Sequence, residues 1–374
     1  MNRRWQAWVP AVVATAVVGT GAAVGTAQAD AKAQLPSKTP QQVVAMVAGS
    51  DVQAFSGALQ QQSHLGLPQL PDEGATANTP TAYVLDLLTT PHTVRVYADG
   101  PARARVQVLD TYGERDVVRS GNDVWLYTSR DNKAVHVTLP SDAGHESAAK
   151  RSAQNGAAVT PQQLADRALA AVNSSTRVTL GPDTKIAGRD AYQLLVQPRD
   201  NGTTVDSVTI GVDAATGLPL SASIAARGQS APAFSVAFTQ LTLGRPDAAR
   251  FSFTPPAGAT VKQQTLPSET RMKALRTQAR AEHQQQRSMA AEHMAPVVSG
   301  NGWGAVVELP MNHAKNTPQM LAKLQASPMF QQMTTTVPSG HLLHSSLVNV
   351  LLTNDGRVLV GAVPADRLQA VAAS

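Results

Sequence analysis

Many short stretches between residues 55 and 253 alternate apolar and polar positions with a period of two, as residues 94–96, 106–108 and 208–212 do. Successive side chains of a β-strand point to opposite sides, so this pattern predicts antiparallel strands with one apolar and one polar face. Short turn sequences, such as Asp99-Gly100-Pro101, join neighbouring strands and predict an up-and-down meander. A single sheet of nine or ten strands curls, and its concave side must be filled by helices or by a ligand.

Three Thr-Pro-Gln triplets, at residues 39–41, 160–162 and 317–319, are typical of helix starts. Thr caps the free amides, and Pro suits the first helical position because no N–H is needed there. We therefore predict helices over residues 40–48 and 161–172 and from Pro318. The first two could cover the apolar face of the sheet, wholly or only in part.

The pattern changes after residue 258. Residues 268–294 are rich in Gln, Arg, Ala and Glu and lack Gly and Pro, which predicts a solvated helical connector. A second, smaller domain follows, with predicted strands at 303–309, within 341–353 and at 358–363, the helix from Pro318, and a closing helix from Pro364. The predicted domains are a signal peptide (1–29), the main β-domain (30–265), a helical linker (266–295) and a small α+β domain (296–374).

The first 29 residues have the layout of a secretory signal peptide. Arg3 and Arg4 precede an apolar run over residues 9–27, and Ala27-Gln28-Ala29 offers a small-residue cleavage site. An uncleaved membrane anchor is the alternative, although Pro10 and the many Gly and Thr residues make a poor spanning helix. No later segment reaches spanning length, so we predict an exported, soluble protein without a transmembrane segment after cleavage.

Composition excludes several functions. The net charge is only +5 and aromatic residues make up 4% of the chain, which disfavours a nucleic-acid partner. Cysteine is absent, so thiol catalysis and cysteine metal sites are excluded. His145-Glu146 begins a zinc-protease motif, but Ala149 stands where the second histidine is required. We predict no catalytic residues, no metal and no cofactor.

Two features stay open at this level. Residues 141–159 are small and polar without apolar periodicity, and such a long stretch is a lid, a binding loop or disordered. Trp125 and Tyr127 form the densest aromatic spot, which indicates ordinary sheet packing or an aromatic wall of a lipid-sized cavity.

Several motifs together resemble the LolA/RseB superfamily. They occupy residues 95–106, 119–129, 208–219 and 251–258, and the similarity extends over about residues 40–265. The resemblance implies an incomplete antiparallel β-barrel with helices across its mouth around a hydrophobic cavity. LolA members carry the acyl chains of lipoproteins between membranes. RseB members add a smaller C-terminal domain and restrain an anti-sigma factor until lipoproteins or lipopolysaccharide displace them, and the layout after residue 296 resembles theirs.

The expected fold is mainly β: an incomplete antiparallel β-barrel with capping helices, followed by the small α+β domain. The expected function is non-enzymatic binding of lipid or lipoprotein acyl chains outside the cytoplasm, as in a carrier. The alternatives are an RseB-like regulator that binds a membrane-bound anti-sigma factor, and a structural domain whose own helices fill the sheet. The cavity-lining candidates are Phe55, Leu59, Val94, Val96, Val106, Val108, Tyr192, Leu194, Val208 and Ile210, together with Trp125 and Tyr127 if the register turns their rings inward.

Overall fold

The computed structural model of the protein describes residues 35–67, 90–110, 113–140, 160–170, 172–265, 296–310 and 325–374. The predicted signal peptide, the 141–159 stretch with His145-Glu146, the 266–295 connector and the start of the predicted helix at Pro318 lie outside these ranges. None of the described helices is long and apolar enough to cross a membrane.

A 13-stranded sheet forms the larger part of the structure and confirms the mainly β fold. In space its strands follow the order β13-β6-β5-β4-β3-β2-β1-β12-β11-β10-β9-β7, and β8 also pairs with β9. The sheet does not close into a barrel, and it is mixed because β13 runs parallel to β6. The strands are β1 (Ala54–Ser63), β2 (His92–Asp99), β3 (Arg103–Asp110), β4 (Gly113–Ser120), β5 (Asp123–Thr128), β6 (Lys133–Thr138), β7 (Thr176–Leu180), β8 (Thr184–Ile186), β9 (Arg189–Pro198), β10 (Val205–Asp213), β11 (Pro219–Ala226), β12 (Phe234–Leu243) and β13 (Thr260–Thr265).

Two helices pack on this sheet, α1 (Pro40–Ala48) and α2 (Pro161–Ala170). Both begin where the Thr-Pro-Gln triplets predict. The Thr39 hydroxyl accepts the Gln42 amide while the Gln42 side chain accepts the Thr39 amide, and Thr160 and Gln163 repeat this arrangement. Each helix buries one apolar side, which includes Val43 and Val47 in α1 and Leu164, Ala165 and Ala168 in α2.

A second sheet of six strands follows, in the order β14-β15-β19-β18-β17-β16. Its core, which includes Val306, Leu351 and Leu359, also takes up Leu368 of the closing helix. The elements are β14 (Val297–Ser299), β15 (Val306–Pro310), α3 (Pro328–Met333), β16 (Thr335–Val337), β17 (Gly340–Leu343), β18 (Asn349–Thr353), β19 (Arg357–Gly361) and α4 (Ala365–Ala372).

The prediction of one long strand within residues 341–353 is wrong. The chain forms two antiparallel strands, β17 and β18, with a loop between them. The Asn349 side chain holds this loop because its Oδ1 bonds His344 Nδ1 at 2.8 Å and accepts the Ser345 amide at 3.2 Å. Such local side-chain bonds compete with the β-ladder and are hard to anticipate from hydrophobic patterning. The predicted strand at 303–309 likewise begins later, at Val306, after a 3₁₀ turn over Gly302–Gly304.

The two sheets are joined by direct hydrogen bonds. Thr203 Oγ1 donates to the Ala362 carbonyl at 2.6 Å, and Thr204 Oγ1 donates to the Leu347 carbonyl at 2.5 Å. Trp303 Nε1 also donates to Thr176 Oγ1 at 3.0 Å. Leu347 and Ala362 belong to the same apolar core as the large sheet, so the small sheet is packed against the large one.

Candidate functional site

The large sheet has two chemically distinct faces, which strand pairing identifies. Residues paired across antiparallel strands point to the same side, so the face can be followed from strand to strand. One side runs from Ile210 through the centre of the sheet to Val96 and carries α1 and α2. We call it the inner face, and the opposite side the outer face.

The inner face is filled by helices over β7–β12, which we call the helix-covered half. The main contacts of α1 are with β7 and β9, and those of α2 are with β10 and β11. Leu194, Ile210 and Leu220 are completely buried there. This half therefore resembles an ordinary helix-on-sheet core.

The inner face of β2–β6, which we call the β2–β6 half, is buried at Val94, Val96 and Val108 but is less buried along one row. A row of paired apolar residues crosses its strands at Val96, Val106, Val117, Leu126 and Val135. Val106, Val117 and Val135 are half-buried, and Leu126 is 37% exposed. This row forms an apolar strip that its own chain covers only in part.

Ten of the twelve candidate residues lie on the inner face. Phe55, Leu59, Val94, Val96, Val106 and Val108 lie in β1–β3, and Tyr192, Leu194, Val208 and Ile210 lie in the helix-covered half. All belong to or pack against one apolar core. The four residues of the helix-covered half are buried, and Leu59, Val94, Val96 and Val108 are buried to the same degree, whereas Phe55 and Val106 are half-buried.

Trp125 and Tyr127 do not lie with the other ten, so the condition on their register is not met. Trp125 pairs with Val118 and Tyr127 with Asp116, both on the outer face. There the Trp125 ring stacks on His136 with centroids 4.3 Å apart, and both aromatic rings contact Phe253. The reason is that Leu126, between them, faces the inner side, and successive strand residues alternate.

The outer face of β2–β5 carries charge and is crossed by the chain that follows β12. Arg105 bonds both carboxylate oxygens of Asp116, at 3.1 and 2.6 Å, and also the Arg250 carbonyl. The Arg250 guanidinium lies 5.3 Å from the centre of the Tyr97 ring. This face is thus occupied by internal ion pairs and aromatic contacts.

Four buried polar side chains of the inner face were missed by sequence reasoning: Gln61, His92, Arg115 and Arg119, which are between 1% and 9% exposed. Arg115 and Arg119 share the inner face with Val117 because they are two residues away from it on β4. The sequence signal was ambiguous, since Val117 and Val118 are both apolar and either could have faced inward.

His92 and Arg115 form one end of this polar set. Arg115 Nη2 lies 2.8 Å from His92 Nε2, and His92 Nδ1 lies 3.1 Å from the Pro91 carbonyl. Arginine can only donate, so His92 Nε2 must accept, and the proton of the neutral ring is on Nδ1. Gln61 lies directly opposite His92 on β1.

Arg119 forms the other end. Its Nε donates to the Gly121 carbonyl at 3.1 Å, while its buried Nη1 has no hydrogen-bond partner in the described part of the chain. Burial lowers the pKa of Arg119, because weakly polar surroundings disfavour the cation.

The histidines and glycine-rich segment that the sequence singled out have structural contacts in the described part of the chain. Among the described residues, no group of three or more His, Asp or Glu side chains could hold a metal ion. His341 and His344 are not close partners: His341 contacts the Phe330 ring, and His344 bonds Asn349. The Gly300–Gly304 stretch serves a structural contact, since Gly302 has φ +57° and a Cβ there would lie 2.4 Å from Ser175 Oγ.

Comparison with known proteins confirms the superfamily resemblance. Residues 86–270 match the family model of the MucB/RseB N-terminal domain. This segment contains β2–β13 and α2, and so includes the whole β2–β6 half of the sheet. Over this segment the chain is thus similar to the MucB/RseB N-terminal domain, in line with the superfamily resemblance.

Solved structures with a similar fold include MucB proteins. The MucA/MucB complex from Pseudomonas aeruginosa is 16% identical, with 89% of this chain and 96% of that chain covered and a TM-score of 0.40. A MucB structure in complex with MucA(peri) is also 16% identical, with 89% and 97% covered and a TM-score of 0.41. A LolA superfamily protein from Nitrosomonas europaea is 11% identical, with 58% and 99% covered and a TM-score of 0.23. No curated protein matches the sequence significantly.

Proposed function

We propose that this protein is an exported, non-enzymatic binding protein that holds acyl chains of a lipid or lipoprotein against the inner face of the β2–β6 half. The observation that carries this proposal is the apolar strip that begins at the buried Val96 and continues through the half-buried Val106, Val117 and Val135 and the exposed Leu126. The helix-covered half of the same face is filled by α1 and α2, so the strip is the better place for a ligand.

The energetics favour a long apolar chain. Burial of a methylene contributes about 0.8 kcal/mol, so one fatty chain contributes roughly 10 kcal/mol before the entropic cost of binding. A ligand on the strip would also remove Leu126 from water, whose side chain is among the more exposed large apolar ones. Among the candidate residues, the half-buried Phe55 and Val106 are therefore the proposed contacts. Leu59, Val94, Val96 and Val108 are buried and, with the four in the helix-covered half, support the scaffold.

Rebinding of a defined amphiphile tests the proposal. The mature chain is delipidated, and palmitate binding is followed by native mass spectrometry and calorimetry. We expect one or a few bound molecules, and we expect Leu126→Glu to weaken binding at least tenfold because a charge on the strip must be desolvated. No palmitate binding to the folded chain would end the case for an acyl-chain site.

Val261→Glu is the matched control. Val261 is 43% exposed, against 37% for Leu126, and it pairs with Ala134, whose side chain lies on the outer face. The same charge is therefore introduced at similar exposure on the opposite side of the sheet. We expect this variant to bind palmitate as the unaltered chain does.

A second candidate function is regulation, in which the protein restrains a membrane-bound anti-sigma factor and releases it when an amphiphile binds. Two observations favour it over simple carriage: the matched family is MucB/RseB, and a second sheet is hydrogen-bonded to the first through Thr203 and Thr204. In this reading the small sheet contributes to the partner-binding surface, and the β2–β6 half acts as the sensor.

Capture from solubilised membranes separates the two functions. The immobilised full-length mature chain would retain a membrane protein with an extracytoplasmic segment, and palmitate would release it. Leu126→Glu should still capture that partner but should no longer release it on addition of palmitate. A carrier without a regulatory partner would instead pass the acyl ligand to acceptor membranes and capture no such protein.

A further inference from the structure

Arg119 is a buried cation on an apolar face. It lies on β4 between Ala104 of β3 and Val124 of β5, and only 5% of it is exposed. Arginines of the outer face differ: Arg105 is paired with Asp116, and Arg103 is paired with Asp99. Arg119 has one hydrogen bond, to the Gly121 carbonyl, and its buried Nη1 has no partner in the described ranges.

A buried guanidinium of this kind is costly without an anion. Removal of a charge from water is unfavourable unless a counter-charge and hydrogen bonds compensate. The guanidinium group is also the side chain best suited to carboxylate and phosphate, because its donors match two oxygens at once. An anionic group beside Arg119 would therefore satisfy both the charge and the free Nη1 donor.

The surroundings of Arg119 suit an amphiphile whose charged group lies beside the guanidinium and whose acyl chain lies on apolar side chains. Its row on the inner face contains the small side chains Ala98 and Ala104 and the half-buried Phe55. The apolar strip with Val106 and Val117 lies one row away, about 7 Å along the strands. The next row contains the buried Val94 and Val108 and ends at Arg115 on β4.

We propose that Arg119 binds the anionic group, a carboxylate or a phosphate, of an amphiphile whose acyl chain lies along the apolar strip. This inference rests on the acyl-chain binding proposed above and names the ligand class for that site. Arg119 determines specificity: neutral amphiphiles use the strip alone, whereas anionic ones use the strip and the guanidinium.

Four probes test this on the delipidated mature chain by calorimetry below micellar concentrations: palmitate, palmitoyl lysophosphatidic acid, monopalmitoylglycerol and inorganic phosphate. We expect both anionic amphiphiles to bind more tightly than the neutral one. Arg119→Met should weaken them roughly 10- to 100-fold, the range for lost hydrogen bonds to a charged group, and leave monopalmitoylglycerol unchanged. Palmitate and the lysophosphatidic acid distinguish the carboxylate from the phosphate headgroup, and tight binding of inorganic phosphate alone would overturn the amphiphile assignment.

Arg95→Met is the matched control. Arg95 is an exposed arginine on β2, and its pairing with Ala58 and Gln107 places it on the outer face, so the change in net charge is the same. An equal loss in this variant would assign the effect to overall charge and overturn the proposal. Arg119→Lys, which keeps the charge but not the bidentate geometry, should retain part of the preference.

The outcomes separate this inference from the proposed function. If Arg119→Met binds anionic and neutral amphiphiles as the unaltered chain does, the role of Arg119 is wrong while the acyl site stands. If no amphiphile binds to the folded chain, the acyl site itself is wrong. If Arg119→Met does not fold, the affinities of the unaltered chain provide the test. Equal affinities for palmitate and monopalmitoylglycerol would then overturn the proposal.

Discussion

The two halves of the large sheet share one inner face but differ in what covers it. In the helix-covered half, α1 and α2 lie on the strands, and Leu194, Ile210 and Leu220 are completely buried. In the β2–β6 half, Val106 and Val117 are half-buried and Leu126 is 37% exposed. The same period-two pattern therefore forms a stabilising core in one half and a candidate binding surface in the other.

Buried polar side chains on the inner face are also distributed differently between the two halves. The inner face of the helix-covered half is apolar over β9–β11, whereas that of β4 carries Arg115 and Arg119 beside Val117. A buried cation does not stabilise an apolar core, because its removal from water is unfavourable. In our proposal Arg119 instead selects the ligand. Stability and specificity are thus expected to be carried by different halves.

Truncation of a core leucine should have the largest effect and tests the division directly. Leu194→Ala in the helix-covered half should cost roughly 3 kcal/mol of unfolding free energy, because Leu194 is fully buried and leaves a cavity. Leu126→Ala should cost under about 1 kcal/mol, yet weaken palmitate binding by about fivefold. Urea unfolding and calorimetry give both values. Equal losses of stability in the two variants would contradict the division.

An ion pair of the helix-covered half should have the next largest effect. Asp213 is buried and bonds Arg189 at 2.7 and 2.8 Å, and it also accepts from Thr216. Burial alone would raise the pKa of Asp213, but the bonds from Arg189 and Thr216 outweigh it and hold this pKa below the ordinary 3.8. Asp213→Asn should cost about 2–3 kcal/mol at neutral pH, measured by urea unfolding.

The sign of the pH dependence follows from that pKa. Because the folded-state pKa of Asp213 is lower than the unfolded one, its stabilisation is complete above about pH 4 and is lost as pH falls through the folded-state pKa. The difference in stability between the unaltered chain and Asp213→Asn should therefore shrink on acidification. A difference that stays constant from pH 7 to pH 2 would show that Asp213 acts through packing alone.

Removal of a helix cap should have a smaller effect. Thr39→Ala deletes the side-chain bond to the Gln42 amide at the start of α1 and should cost about 1 kcal/mol. The loss should appear in thermal unfolding and not in palmitate affinity, because α1 contacts β7 and β9. Gln41→Ala, one position past Pro40, is the control and should be nearly neutral. Weaker palmitate binding by Thr39→Ala would instead place α1 at the ligand site.

The smallest effect is expected at an exposed ion pair. Lys185 and Asp190 lie 2.5 Å apart, but their side chains are 44% and 45% exposed. Such pairs contribute at most about 1 kcal/mol, so Lys185→Met should leave thermal stability nearly unchanged. A large loss here would mean that exposed ion pairs, and not the packed apolar core, stabilise this half.

Much of the fold could be predicted from local sequence. The triplets Thr39-Pro40-Gln41 and Thr160-Pro161-Gln162 determine where α1 and α2 begin, because capping depends on neighbouring residues. Asp99-Gly100-Pro101 separates β2 from β3 for the same local reason, and Gly100 has φ +70°. The period-two alternation along the strands placed ten candidate residues on one face, for example Val94 and Val96 in β2 and Val208 and Ile210 in β10.

Only the tertiary structure decided the remaining features. In β4 both Val117 and Val118 are apolar, and in β5 both Trp125 and Leu126 are, so the local pattern permits either face. Pairing of β4 with β3 turned Arg119 inward, and pairing of β5 with β4 turned Leu126 inward and Trp125 outward. The parallel pairing of β13 with β6 and the joining of the two sheets depend on contacts between residues far apart in sequence. Hydrophobic periodicity determines that a strand has two faces, but only its neighbours determine which face each side chain meets.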